Sequence, residues 1–228
     1  MEKLADEIWI FDGKAVPFLG MPYSTRMTVI RLPGHKLWVH SPIALTPHLK
    51  QQIEDLGTVA YLIAPNSLHH LFLPEWIDAF PIAEVFGTDE VIKKRSDIAF
   101  TRSLNTSAKW PWQDDIDQLV FTGSPVMQEC VFFHKCSATL LVTDLVENFS
   151  GQEFNVWQRW VAKGAGILAP RGKTPLDWRL SFMFGKAQAR SHLAKLLVWQ
   201  PKCLVMAHGV IVRDNATQFL AQSFKWLL

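Results

Sequence analysis

The chain has 228 residues, of which 49% are hydrophobic and 19% charged, so it can bury a sizeable core and wholesale disorder is not expected. Its net charge of +2 at pH 7 is too small to indicate nucleic acid or an anionic membrane as the main partner, and no basic tract with interleaved aromatic residues is present. The sequence has no apolar leader, no run of about 18 apolar residues and no C-x-x-C pair among its three cysteines, so we expect a cytoplasmic protein with reduced thiols.

The first part of the chain predicts antiparallel strands followed by a capped helix. Asp12-Gly13 is a hairpin-turn signal after the first strand, and Pro33-Gly34 turns the chain between the next two. Thr46 is a predicted helix N-cap, because Pro47 follows it at the first helical position. The elements predicted here are strands at 7–11, 26–32 and 36–40, a loop over 14–24, and a helix from 46 to 56.

A short apolar run at 59–63 predicts a buried strand, and two adjacent histidines follow it. The tripeptide Pro65-Asn66-Ser67 interrupts the strand, and its serine is the predicted cap of a helix that begins near Leu68. His69 and His70 then lie at the carboxyl end of a strand, where α/β sheets usually place ligand sites. A structural or surface role for the two histidines stays open.

The rest of the chain alternates short helices with strands. Predicted helices lie near 75–80, 89–95, 153–162, 186–199 and 215–227. Predicted strands lie at 82–86, 118–122, 126–134, 138–143 and 203–207. Residues 96–117 are predicted to be irregular, and residues 164–184 are rich in Gly and Pro with several aromatic residues. In both halves, antiparallel hairpins and helix-alternating strands occur together, which predicts two mixed sheets with helices outside them in one domain over 1–228.

Three apolar strands end shortly before a residue type that binds metals. The run at 59–63 precedes His69-His70, the run ending at 143 precedes Asp144, and the run at 203–207 precedes His208. Imidazole and carboxylate groups are suitable ligands for zinc or iron. Because strand ends on one side of a sheet can converge, these residues are candidates for one metal site.

Six stretches along the chain together form a recognisable pattern: 20–26, 38–43, 64–76, 129–134, 143–145 and 207–209. In these stretches the sequence resembles the metallo-β-lactamase-like superfamily, and more closely a branch of it that carries a domain of unknown function. The resemblance spans nearly the whole chain. It implies a four-layer αββα sandwich of two mixed β-sheets flanked by helices, between the α+β and α/β classes.

The usual signature of that superfamily is T-H-x-H-x-D-H after a strand. Aligned with it, Ala64 stands at the Thr place, and Pro65 and Ser67 stand at the first two His places. His69 stands at the Asp place and His70 at the last His place. Proline and serine cannot replace imidazoles, so the resemblance implies that the first of two metal positions is lost and that at most one metal binds tightly.

The resemblance implies that the second metal position is retained. Its ligands would be His69, His70, Asp144 at the place of the bridging Asp and His208 at the place of the late His. The implied cofactor is one divalent ion, with zinc first and iron or manganese as alternatives, or no metal at all. Four protein ligands would fill a tetrahedral zinc unless its coordination expands to five.

The pattern also has a lone middle His, for which this chain has no clear equivalent. Glu129 is near that place and is the candidate general base, with Glu75 on the helix after the histidine pair as the reserve. A solvent-facing strand residue is the alternative for Glu129. His40 falls where the superfamily usually has an Asp and is predicted to be a polar partner, while His134 is predicted to be structural.

Two functions of different classes are compatible with these observations. The first is a metal-dependent hydrolase that uses a single divalent metal to activate water on an ester, thioester or similar bond of an unidentified small molecule. The second is a non-catalytic relative that serves as a binding or structural module. No nucleic-acid or membrane partner is expected, homo-oligomerisation is left open, and the fold alone names no substrate.

Overall fold

As predicted, the described part of the chain forms two mixed β-sheets; one has seven strands and the other has four. The computed structural model describes residues 1–107 and 109–227. The chain divides into two units, the first comprising Met1–Lys14 and Thr25–Trp112 and the second comprising Ala15–Ser24 and Gln113–Leu228. The single domain over 1–228 stays a prediction.

The seven-stranded sheet runs in sequence order, with an antiparallel beginning and a parallel end. The pairings β1–β2 and β3–β4 are antiparallel, while β4–β5, β5–β6 and β6–β7 are parallel. Parallel strands buried on both faces consist of nearly continuous apolar residues, which explains the apolar run in β5. The strands are β1 (Glu2–Ala5), β2 (Ile8–Phe18), β3 (Met21–Leu32), β4 (Lys36–His40), β5 (Thr58–Ala64), β6 (Glu84–Gly87) and β7 (Arg102–Ser103).

Three helices of the first unit cover one face of this sheet: α1 (Pro47–Leu56), α2 (Leu73–Ala79) and α3 (Asp89–Lys94). Leu37 and Val39 of β4 join the apolar cluster that contains Ile53 of α1 and Trp76 of α2. Since side chains alternate along a strand, His40 lies on the opposite face from Val39. The predicted cap of α1 is confirmed, because Thr46 Oγ1 accepts a hydrogen bond from Leu49 N at 3.1 Å.

The predicted turn at Asp12-Gly13 and the predicted loop over 14–24 are wrong. Strand β2 continues through these residues to Phe18, and the chain turns at Gly20, whose φ of +75° suits a residue without a Cβ. Arg26 Nε donates to Asp12 Oδ1 at 2.7 Å and joins β3 to β2 at this point. Cross-strand pairing therefore outweighs the local turn preference of Asp-Gly.

The four-stranded sheet belongs to the second unit and has the spatial order β11-β10-β9-β8. Its strands are β8 (Ile116–Phe121), β9 (Glu129–His134), β10 (Thr139–Leu141) and β11 (Cys203–Val205). The pairings β8–β9 and β9–β10 are antiparallel, whereas β10–β11 is parallel. This one parallel pair brings the ends of two distant apolar segments to the same edge.

Four helices accompany this sheet: α4 (Val156–Ala165), α5 (Leu176–Ser181), α6 (Lys186–Val198) and α7 (Ala216–Ser223). The largest apolar cluster of the second unit joins β9 and β10 to Trp178, Leu193 and Leu220 from three of them. The sequence predicts no helix within 164–184, where the structure has α5, whose first turn holds Leu176 directly after Pro175. Short helices surrounded by glycine and proline lack a long apolar period and are missed for that reason.

Candidate metal centre

Asp144 and His208 lie together in the second unit, and strand register explains why. Leu141 pairs with Val205 at the carboxyl ends of the parallel strands β10 and β11. Asp144 and His208 each follow three residues later, so they leave the sheet at the same edge. The Asp144 Oδ1 and His208 Nε2 atoms are 3.0 Å apart, and both side chains are buried. This is the ligand-site edge that parallel strands provide.

The hydrogen bond of His208 Nδ1 determines which ring nitrogen carries the proton. His208 Nδ1 lies 2.5 Å from the carbonyl oxygen of Ser24, which can only accept a hydrogen bond, so Nδ1 carries a proton. In the neutral ring, Nε2 then presents a lone pair toward the Asp144 carboxylate. Two acceptor atoms at this distance need either a shared proton or a metal ion that both of them contact. Ligating histidines usually hold their other N–H on a carbonyl in this way, so the pair fits a divalent metal.

Two aromatic rings hold the imidazole of His208. Tyr23 meets it edge-on at 5.0 Å between ring centroids, and Phe149 stacks on it at 6.1 Å with an interplanar angle of 10°. Tyr23 and Phe149 belong to the same apolar cluster of the second unit. The ring is therefore fixed by packing as well as by its hydrogen bond, which is what a precise ligand position requires.

Gly209 brings the backbone after His208 against Asn148. Its φ is +99°, and a Cβ at this position would lie 2.3 Å from the carbonyl carbon of Asn148. Asn148 N donates to the His208 carbonyl at 3.2 Å, and Val210 N donates to the Asn148 carbonyl at 2.8 Å. A side chain here would have to push two backbone segments apart, so glycine is required for close approach as well as for its φ.

We expect Gly209→Ala to lower the free energy of unfolding by about 2 kcal/mol and to weaken metal binding, because the strained φ and the clash displace His208. Urea unfolding and zinc titration of the variant measure both effects. Gly164→Ala is the matched control, since no atom lies within 4 Å of a Cβ there. Equal stability of the two variants would contradict this account of the backbone packing.

Glu129 is fully buried and contacts the loop that carries Asp144. Its Oε1 accepts from Thr143 N at 2.8 Å, and its Oε2 accepts from Thr143 Oγ1 at 2.6 Å, Asp144 N at 2.8 Å and Leu145 N at 3.1 Å. The alternative of a solvent-facing side chain is wrong, because the residue is 0% exposed. These contacts make Glu129 an anchor of the Asp144 loop, and its role as general base stays a prediction.

Burial raises the pKa of Glu129 above its usual range, and the neighbouring Asp144 carboxylate raises it further, while the bonds from Thr143 and Asp144 oppose the shift. Glu147, which the sequence analysis did not select, is a second buried carboxyl near Asp144, and burial raises its pKa well above the usual range. Tyr23 Oη donates to Glu147 Oε2 at 3.4 Å. The sequence signal that could have identified Glu147 is its position as a charged residue within the apolar segment Leu145–Phe149.

The histidine pair of the first unit does not begin a helix. Asn66 Oδ1 accepts from Leu68 N at 2.9 Å and from His69 N at 3.1 Å, and α2 begins only at Leu73. The predicted helix start near Leu68 with a Ser67 cap is therefore wrong. An asparagine side chain that bonds the backbone two and three residues ahead competes with helix formation and produces a turn instead.

His69 is held by a serine that the sequence analysis did not select. Ser41 Oγ lies 2.6 Å from His69 Nδ1, and Ser41 follows β4 with a φ of +54°. Its backbone N donates to the Ile63 carbonyl at 3.0 Å, which fixes this unusual conformation beside β5. When His69 Nδ1 donates to the serine, its Nε2 is the ligand atom, so His69 fits the predicted metal role within its own unit.

His70 contacts Arg95, and the ligand role that the sequence predicts for His70 stays a prediction. Arg95 Nη1, which can only donate, lies 3.0 Å from His70 Nδ1 and also donates to the His70 carbonyl at 3.2 Å. The proton of the neutral ring is therefore on Nε2, and within 1–107 and 109–227 this buried atom has no hydrogen-bond partner. Burial, with Lys94 and Arg95 nearby, lowers the pKa of His70 to about 4. Through its Nδ1 and its carbonyl, His70 accepts both contacts from the Arg95 guanidinium.

Three other candidates have contacts inside their own units. Glu75 Oε1 accepts from Leu45 N at 3.0 Å, so this carboxylate holds the segment before α1, and its reserve role as base stays a prediction. The His40 ring stacks on Trp38 at 5.6 Å, and burial lowers the pKa of His40 to about 3. His134 Nδ1 lies 2.7 Å from Ser137 Oγ, a structural contact at the end of β9.

Comparisons with known proteins agree with the fold. A family model described as "Domain of unknown function (DUF4336)" matches residues 5–164. A search of curated proteins finds no match. Within the described part of the chain, no helix has the length and apolar character needed to span a bilayer.

The solved structures with similar folds include several metallo-β-lactamases. The metallo-β-lactamase from Pontibacter korlensis is 12% identical with a TM-score of 0.64, and the match covers 99% of this chain and 97% of that one. The enzyme from Hirschia baltica is also 12% identical at 0.64, covering 99% and 96%. DIM-1 metallo-β-lactamase exposed to ceftazidime is 12% identical at 0.65, covering 97% and 94%. Likeness at this identity shows the fold alone, and with the family match it confirms the resemblance. The chain belongs to the DUF4336 family, a domain of unknown function, and has the metallo-β-lactamase fold.

Proposed function

We propose that this protein is a metal-dependent hydrolase that uses one divalent ion, with zinc as the first candidate. The observation that carries the proposal is the Asp144–His208 pair, in which two acceptor atoms face each other at 3.0 Å while His208 donates its other proton to a carbonyl. This arrangement is ordinary for metal ligands, and without a metal it needs a proton shared between the two atoms. Metallo-β-lactamases with the same fold support the reaction class by analogy.

The proposed ligands are Asp144 and His208 together with His69, which the sequence predicts; imidazole nitrogens and carboxylate oxygens are the atom types that bind zinc. His70 is left out because its Nδ1 faces Arg95. Three ligands leave a tetrahedral zinc with an open fourth position, which distinguishes a catalytic site from a structural one. When bound, a divalent ion supplies Lewis acidity that makes water more acidic and polarises a carbonyl or phosphoryl oxygen.

Other residues of the chain would hold the proposed ligands in position. Ser24 and Ser41 hold the ring protons of His208 and His69, and Glu129 holds the Asp144 backbone. Glu147 is the acid–base candidate that the structure adds, since it is a buried carboxyl near Asp144 whose pKa is raised by burial. The substrate class that we propose is an ester, thioester or similar small molecule, as the sequence analysis suggested.

Metal analysis of the purified protein tests the proposal. We expect about one equivalent of zinc, iron or manganese per chain after purification without chelators, and hydrolysis of at least one member of an ester, thioester and phosphodiester panel after metal is restored. Two tightly held equivalents would refute the single-metal site. Absence of bound metal together with absence of turnover would favour the non-catalytic binding or structural module.

A further inference from the structure

Large apolar side chains are exposed in one region of the second unit. Phe184 is 96% exposed, Trp157 is 74% exposed and Trp160 is 64% exposed. Aromatic side chains of this size are normally buried or covered by a partner, and contiguous exposed apolar surface marks interaction sites. We call the exposed set the apolar face; it consists of Val156, Trp157, Trp160, Val161, Leu176, Leu180, Met183 and Phe184.

The spacing of these residues follows two helical stripes. Those on α4 lie at 156, 157, 160 and 161, and those on α5 and the 3-10 turn after it lie at 176, 180, 183 and 184. The opposite sides of the elements carry the buried Ala162, Trp178 and Phe182. Both stripes therefore belong to amphipathic elements whose inner side is already packed.

A hydrogen bond joins the two elements within the second unit. Arg179 Nη2 donates to the Ala165 carbonyl at 2.9 Å and so links α5 to the last turn of α4. The Lys163 amine lies 5.3 Å from the centre of the Trp160 ring, so a cation accompanies an exposed indole on α4. Lysine and arginine stems can lie along apolar surface while their charges reach outward.

Charge in the surrounding sequence is strongly uneven. Residues 150–200 contain eight Lys and Arg but only two Asp and Glu, a net charge of +6. The whole chain carries +2, so the remaining residues carry −4. Six of the basic residues are exposed: Arg159, Lys163, Arg171, Lys186, Arg190 and Lys195. The small overall charge is thus the average of a basic segment and an acidic remainder.

We propose that the apolar face docks on an anionic membrane surface. Trp157, Trp160 and Phe184 would enter the boundary between headgroups and acyl chains, which is where exposed aromatic residues partition. Arg159 and Lys163 on α4 and Lys186, two residues after Phe184, would meet anionic headgroups around them. A second copy fits less well, because a twofold contact places the same +6 segment against itself. The proposal replaces the expectation of no membrane partner, which rested on net charge.

Vesicle flotation with the full chain tests this docking. We expect the protein to float with phosphatidylcholine vesicles that contain a quarter phosphatidylglycerol and not with pure phosphatidylcholine vesicles. Binding should weaken when salt is raised from about 0.1 M to about 1 M, because screening shortens the range of the attraction. Trp160→Ser with Phe184→Ser, or Lys163→Glu with Lys186→Glu, should each lower partitioning about tenfold or more.

Matched controls come from the first unit. Ile82→Ser removes an apolar side chain that is 77% exposed, and Lys93→Glu reverses an exposed charge on α3; both should bind as the parent does. Thermal melts establish that every variant is folded. Failure of the parent to float with anionic vesicles, or equal flotation of all variants, would overturn the proposal. So would concentration-dependent dimerisation that the apolar-face variants abolish without any vesicle binding, since that result assigns the face to a second copy.

Discussion

His208→Ala should lower zinc affinity by more than about a hundredfold, because it removes a ligand rather than one of the groups that orient a ligand. The loss follows from the 3.0 Å pairing of His208 Nε2 with Asp144 Oδ1 and from the Nδ1 contact with the Ser24 carbonyl. Alanine offers no donor atom for the metal. Competition with a chromophoric zinc chelator measures the affinity, and the metal-free variant should unfold cooperatively in urea if the fold is intact.

The matched control for this variant is His192→Ala in the same unit. His192 is a half-buried histidine of α6 whose Nδ1 accepts from Thr122 N at 3.2 Å, so its removal costs a similar amount of packing without touching the proposed ligands. Asp144→Asn should resemble His208→Ala, because it removes the ligand charge at almost constant shape. His69→Ala tests the predicted third ligand. Equal zinc affinity in the His208 and His192 variants would contradict the assignment of His208 as a metal ligand.

The sequence could predict Asp144 and His208 because their positions depend on simple features. Two short apolar runs end just before them, and such runs form buried parallel neighbours whose carboxyl ends share an edge. An apolar run likewise identified the end of β5, and the proline at the first helical position identified the cap at Thr46. The strand and helix pattern indicated two mixed sheets, and the metallo-β-lactamase resemblance added the alignment that places Asp144 and His208 at metal-ligand positions.

The contacts around the candidate ligands depend on tertiary packing and were not predictable in this way. The left-handed conformation of Ser41, which places its hydroxyl on His69, depends on a bond from its backbone to β5. The Arg95 guanidinium that contacts His70 Nδ1 belongs to the residue directly after α3, 25 residues later in the chain. Nothing local to either histidine indicates these partners, so the sequence treated the two as equivalent ligands.

The sequence also did not indicate where the Glu129 side chain points. A glutamate in a strand of apolar residues suggests either a reactive group or a solvent-facing side chain. Neither interpretation predicts that four hydrogen-bond donors just after β10 bind its carboxylate. Buried carboxylates that receive several backbone N–H groups are usually structural anchors. The position of Asp144 thus depends on a side chain that is 15 residues earlier in the chain.

Glu129→Gln should lower the free energy of unfolding of the metal-free protein by about 3 kcal/mol. Three donors converge on Oε2 and one on Oε1. The amide oxygen of glutamine can take the place of Oε2, but its NH₂ group then faces Thr143 N, and two donors meet in a buried site. Glu129→Ala should cost more, about 5 kcal/mol, since it leaves all four donors without this acceptor and opens a cavity.

Urea unfolding in the presence of a chelator measures this loss without any contribution from metal binding. Glu84→Gln on β6 is the control, because that carboxylate is exposed and its replacement should change stability by no more than about 0.5 kcal/mol. The two roles of Glu129 predict opposite patterns. A base would lose turnover in Glu129→Gln with stability and bound zinc unchanged. An anchor that holds the Asp144 loop would lose stability first and zinc affinity with it, because the backbone that positions the Asp144 carboxylate is no longer fixed.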